Sequence, residues 1–237
     1  MDAVKLASMI DQTMLRPTVG LAEGTRWIDD NREQGFAALC VSPFLVPAAT
    51  EALAGARTRV CSVVAFPLGI AASRAKAVEA RHLVELGCRE IDMVMNVGAL
   101  LEGDDTFVRR DIEAVVAEVS QASEGTGIVK VILETGYLDP ADIARACHLA
   151  AQAGADFVKS STGFGPRGAS VEDIEIMRTA VGPDVGVKAA GGIRDLASAM
   201  AMIEAGASRV GTSAGQAILA EAATGGHAPD SETAQRR

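Results

Sequence analysis

Apolar and polar positions fall into two alternating registers along this chain. Short runs dense in Val, Ile, Leu, Ala and Met recur at "MIDQTML", "EQGFAALCV", "RVCSVVAF", "ELGCREIDMVMN", "GIVKVILET", "QAGADFVKSST", "GVKAAGG" and "EAGASRVGTS", which gives eight strand candidates. Between them the spacing changes to the helical one. Val108, Ile112, Val115, Val116 and Val119 repeat at the interval that lines one buried helix face. In four of the runs a glycine (Gly35, Gly87, Gly154, Gly206) stands where a helix ends and the next strand begins, the position of a left-handed C-cap. Asp139 followed by Pro140 predicts a helix N-cap and N1, and Ser170 and Asp195 predict two more caps. Strands buried on both faces and alternating with helices predict a parallel sheet. Eight such units fit a single-domain (β/α)8 TIM barrel over 1–220. An open doubly wound sheet is the alternative. The remainder, 221–237, is polar and Gly-rich and is read as a disordered tail.

Composition narrows what the barrel does. With a formal net charge of −9 the chain has no general basic face for nucleic acid or an anionic membrane. The four cysteines (Cys40, Cys61, Cys88, Cys147) form no C-x-x-C pair. No signal peptide is read at the N-terminus, so reduced thiols and a cytoplasmic location are expected. The most apolar run, "VCSVVAFPLGIAA", is too short to span a bilayer and is interrupted by Pro67. Neither His82, His148 nor His227 sits at metal-ligand spacing from a cysteine or carboxylate, so no metal is expected.

The charges that break the strand pattern carry the chemistry. A lysine in a core strand costs several kcal/mol to desolvate unless it is paired or neutralised. Alternation on the sixth and seventh strands points Lys159 and Lys188 into the barrel, and that on the fourth and fifth points Asp92 and Lys130 inward, with Glu134 on the face of Lys130. Two inward lysines on neighbouring strands depress each other's pKa, as burial does, and a neutral lysine is the amine a Schiff base needs. The bland reading is a set of structural ion pairs, with Lys130–Asp92 the first candidate. Cys40 reads as a packing thiol. Glycine-rich turns "AAGGIRD" and "VGTSAGQA" follow the seventh and eighth strands, the usual phosphate site of this architecture. "STGFGPRG" adds donors from Thr162 and Gly163, with Arg167 as a further candidate.

Taken together, "IDQTMLRP", "EIDMVMNVGALLEGD", "VKVILET", "GADFVKSSTGF", "VKAAGGIR" and "RVGTSAG" closely resemble the deoxyribose-phosphate aldolase family of class I aldolases, over nearly the whole chain apart from the tail. The resemblance implies a Schiff-base lysine at Lys159, a second lysine at Lys188, a proton-relay aspartate at Asp92 and a supporting lysine at Lys130. It implies phosphate contacts at Thr162, Gly163, Gly191, Gly192, Gly211 and Ser213. Asp11 and Thr13 match the family's first motif, whereas Gln12 and Arg16 replace its usual His and Lys. The implied reaction is reversible cleavage of 2-deoxy-D-ribose 5-phosphate, with no cofactor and a small phosphorylated sugar as the partner. A homodimer is the expected assembly. The rivals are another lysine-dependent aldolase for a phosphorylated sugar and a non-catalytic phosphate-binding barrel.

Overall fold

The structure, a computed structural model, describes residues 1–224. Eight parallel strands close into a barrel in sequence order: β1 (Ile10–Met14), β2 (Ala38–Val41), β3 (Arg59–Val64), β4 (Glu90–Val94), β5 (Ile128–Ile132), β6 (Phe157–Lys159), β7 (Gly186–Ala190) and β8 (Arg209–Thr212). Each predicted run contains one strand, so the closed barrel displaces the open-sheet alternative. The glycines Gly35, Gly87, Gly154 and Gly206 have φ of 76°, 113°, 82° and 111°. Asp139, Ser170 and Asp195 each accept a hydrogen bond from a first-turn amide of the helix they cap. The last helix, Gly215–Ala223, runs past position 220, so Glu221 to Ala223 are helical; the tail expected over the rest of 221–237 lies, from 225 on, outside the described residues. Among the described residues no helix is long and apolar enough to cross a membrane.

Two cores follow from strand alternation. Outward residues such as Val129, Val131, Val158, Val187, Ala189 and Val210 pack under the helices with Val108, Ile112, Val115 and Val119 of the helix Asp105–Ala122. The barrel interior is divided instead. Ala38, Cys40, Cys61 and Val63 make a small apolar patch on β2 and β3, against Leu15 and Phe66. The remaining strands turn charged groups inward at Asp11, Glu90, Asp92, Lys130, Lys159, Lys188 and Arg209. A barrel interior is normally filled by branched apolar side chains, so this half is built at a cost to stability. Outside the barrel, buried Lys76 donates to Asp111 (2.6 Å) and to the Val94 carbonyl (3.0 Å), which fastens the end of β4 close to Asp92.

Candidate active site

The strand registers decide which charges meet. Asp92 lies opposite Lys130, Lys159 opposite Lys188, and Lys188 opposite Arg209. Asp92 is the hub. Its Oδ1 accepts from Lys130 Nζ at 2.8 Å, and its Oδ2 accepts from both Lys159 Nζ (2.8 Å) and Lys188 Nζ (2.7 Å). Beneath it, Lys188 also reaches Asp11 at 2.5 Å, and Lys130 reaches Glu90 at 2.6 Å and Asp11 at 3.3 Å. Arg209 closes the floor, 2.5 Å from Asp11 and 3.1 Å from Glu90, with its guanidinium over the Phe157 ring. Four inward cations thus enclose three carboxylates, and Arg59 also reaches Glu90 at 3.6 Å.

This arrangement sets the protonation states. Burial alone would raise Asp92, but Lys130, Lys159 and Lys188 outweigh it and hold its carboxyl well below the usual range. Asp11 is lowered likewise, with Lys130, Lys188 and Arg209 prevailing over burial. Lys188 departs from expectation. Burial would lower it, yet Asp11 and Asp92 together raise it above an ordinary lysine, so it is a fixed cation and not a neutral amine. Lys130 is raised in the same way, against burial, by Asp11 and Asp92.

Lys159 occupies a different place. It lies at the end of β6 and, unlike Lys130 and Lys188, lines an open cavity of about 420 Å3 at the C-terminal mouth of the barrel. That cavity is also lined by Thr13, Arg16, Thr162, Gly163, Gly191, Gly192, Gly211 and Ser213. The structure therefore brings together the predicted lysine and all six predicted phosphate positions, but their detail differs. Thr162 gives both its amide and its hydroxyl to the Glu134 carboxylate. Gly163 donates to Ser161 Oγ at 3.1 Å. Gly191 has φ +94°, and a Cβ there would stand 2.5 Å from Ser161 Oγ and 2.8 Å from Gly168 Cα. Gly211 makes room for a catalytic-site side chain, since a Cβ on it would come within 3.0 Å of Lys188 Cε. Arg167 does not line the cavity; it is bound to Asp173 and to the Thr135 carbonyl. Thr13 donates to the Asp11 carbonyl, holding the first strand's end in shape. Gln12 faces away from the site: it accepts from the Gly215 amide and donates to Asn31, so its difference from the family's usual residue falls on helix packing. Arg16 sits at the rim, paired with Glu23 at 2.5 Å.

Several participants escape a reading by spacing. Glu90 and Arg209 share strand parity with Asp92 and Gly211, and that parity is the signal that could have found them. Glu134 breaks parity: β5 ends at Ile132, and Glu134 takes a left-handed conformation (φ 55°) that sends its carboxylate to Thr162, not toward Lys130. Cys61, absent from the sequence reading of the site, contacts Asp92 Oδ1 and Lys130 Nζ, each at 3.3 Å. Two trios, Cys40–Cys61–Asp92 and Asp11–Cys61–Glu90, are close enough to share an ion. Their carboxylates are already neutralised by lysine and arginine, which opposes a divalent cation there. The arrangement suits an amine nucleophile beside a fixed cation and a carboxylate.

The sequence pattern of the DeoC/LacD family aldolases matches residues 6–221. The deoxyribose-phosphate aldolase of Geobacillus sp. (strain WCH70) is 47% identical over 214 residues, covering 90% of this chain and 94% of that protein. The deoxyribose-phosphate aldolase of Listeria innocua is 48% identical over 214 residues, with 90% and 94% covered. Among solved structures, the deoxyribose phosphate aldolase of Aeropyrum pernix, described as a tetramer, superposes with a TM-score of 0.85 at 30% identity over 93% of this chain and 92% of that one. An aldolase designated QR15 gives 0.85 at 36% identity over 92% and 96%.

Proposed function

The chain belongs to the DeoC/LacD family of aldolases, and on that premise we propose how its barrel reversibly cleaves 2-deoxy-D-ribose 5-phosphate to acetaldehyde and D-glyceraldehyde 3-phosphate. The observation that carries the assignment of roles is the position of Lys159, the one buried barrel lysine that lines the mouth cavity while bonded to Asp92. Once the Lys159 ammonium has passed a proton to water in the cavity, its amine attacks C1 of the open-chain sugar, and loss of water from the carbinolamine gives an iminium ion. The proton on the C3 hydroxyl leaves through a water held by Asp92 and Lys188, the C2–C3 bond breaks, and its electron pair flows through C2 to the iminium nitrogen, giving the enamine. D-Glyceraldehyde 3-phosphate departs. The same relay protonates the resulting enamine at C2, and hydrolysis frees acetaldehyde and the amine. Lys188, kept charged by Asp11 and Asp92, serves as the fixed cation beside Lys159 and as a proton donor. Lys130 neutralises the other oxygen of Asp92 and holds it in place.

The substrate phosphate takes the part of the cavity lined by Gly191, Gly192 and Ser213, with Gly211, Thr162 and Gly163 completing the lining. Because Thr162 is already engaged by Glu134, its part is to shape that lining. Residues 1–220 act as one catalytic domain. Four buried free thiols favour a reducing, cytoplasmic setting. Exposed Leu68, Ile70 and Tyr137 favour association of two copies, which light scattering would measure as mass in solution. Enzyme-coupled detection of D-glyceraldehyde 3-phosphate, the product common to both sugars, tests the substrate: release from 2-deoxyribose 5-phosphate and not from ribose 5-phosphate is expected. Equal turnover of both would point to another phosphorylated-sugar aldolase.

A further inference from the structure

Cys40 and Cys61 stand opposite each other on β2 and β3, both facing into the barrel. Neighbouring strands run about 4.8 Å apart, which lies within the Cα separation a disulfide spans. Their sulfur atoms and a carboxylate oxygen of Asp92 all lie within 4.8 Å of one another. Cys61 Sγ is 3.3 Å from Asp92 Oδ1 and 3.3 Å from Lys130 Nζ. Leu15, which packs on this patch, also lines the mouth cavity, so the dithiol lies one side chain below the substrate space. We propose that Cys40 and Cys61 form a modification site for peroxides within the catalytic barrel, closing to a disulfide that lowers turnover.

The chemistry balances with peroxide as the oxidant. The Cys40 thiolate attacks a peroxide oxygen, the O–O bond breaks, and hydroxide leaves to take a proton as water. Cys61 then attacks the sulfenic sulfur and displaces its hydroxyl as a second water. Both sulfurs are oxidised and both peroxide oxygens are reduced. Surroundings favour this order: the neighbouring Cys61 thiol lowers Cys40 despite burial, while burial holds Cys61 well above the ordinary thiol range, so Cys40 attacks the peroxide first and Cys61 is the later, resolving thiol. Burial also pushes Cys88 and Cys147, which have no such partner thiol beside them, up to about 12. The disulfide removes the thiol hydrogen between Cys61 and Asp92 and moves the sulfur that Lys130 contacts, so it disturbs the relay without touching Lys159.

The proposal goes beyond the aldolase reading, and its covalent readout is independent of any substrate. The wild-type protein is treated with hydrogen peroxide, alkylated under non-reducing conditions and digested. Expected are a peptide pair linked through Cys40 and Cys61, a several-fold fall in turnover, and recovery of both after dithiothreitol. Absence of the linked pair at peroxide doses that lower turnover overturns the proposal. So does an equal, dithiothreitol-reversible loss of turnover in Cys61→Ser, whose own untreated activity is the reference.

Discussion

Replacing Lys130 by methionine tests whether the barrel floor is held by charge balance. The Lys130 ammonium is fully buried and serves Glu90 at 2.6 Å, Asp92 at 2.8 Å and Asp11 at 3.3 Å. Methionine preserves most of the stem volume, so the change removes charge and hydrogen bonds with little cavity. Removing one partner of a buried ion pair costs about 3–5 kcal/mol, because the carboxylates stay buried with fewer countercharges. For a domain of this size each kcal/mol lowers Tm by about 2–4 °C, so a fall of roughly 6–20 °C is expected. Thermal unfolding followed by circular dichroism at neutral pH measures it, and the loss should persist in high salt, since buried pairs are little screened. Glu90, whose nearest cation is Lys130, is the natural compensator: Lys130→Met with Glu90→Gln should recover about 1–2 kcal/mol of the loss. A single variant within about 2 °C of the wild type would refute the reasoning. A double variant less stable than the single one would also refute it.

Three further outcomes follow from the same geometry. Asp11 and Asp92 are held below the usual carboxylate range, so the stability they contribute is present above the unfolded-state pKa of about 4 and is lost as pH falls toward their folded values; urea midpoints between neutral pH and pH ~3 should drop, and Asp11→Asn should flatten that slope. Gly211→Ala pushes a methyl to 3.0 Å from Lys188 Cε, and overpacking of roughly 1–3 kcal/mol at that point should lower kcat about tenfold or more while the fold, read by circular dichroism, survives. Thr162→Val removes the hydroxyl that Glu134 accepts from, leaving a buried carboxylate short of one donor, so Tm should fall by the equivalent of about 1–3 kcal/mol.

The barrel was legible in the sequence because each strand repeats one local rule: a cap glycine or turn, then a short Val/Ile-rich run. The meeting of Asp92 with Lys130 was legible for the same reason, since both obey strand parity on neighbouring strands. What parity cannot supply is the neighbour from a distant segment. Arg209 reaches Asp11 across almost the whole chain, and only barrel closure between β1 and β8 brings them together. Without Asp11 in place, Lys188 reads as a lysine depressed by its neighbour; with it, the balance reverses and Lys188 stays charged. Parity misplaces Glu134 because a single left-handed residue ends the alternation it assumes. The Cys40–Cys61 pair was hidden because the two lie on different strands with no short spacing to mark them.

The central claim is that Lys159 forms the imine, and reductive trapping measures it directly. Incubation with acetaldehyde and sodium borohydride, followed by peptide mass spectrometry, should place one ethyl group on Lys159, with Lys130 and Lys188 unmodified, and the adduct should vanish in Lys159→Ala. An adduct on Lys188, or one that survives Lys159→Ala, would contradict the account.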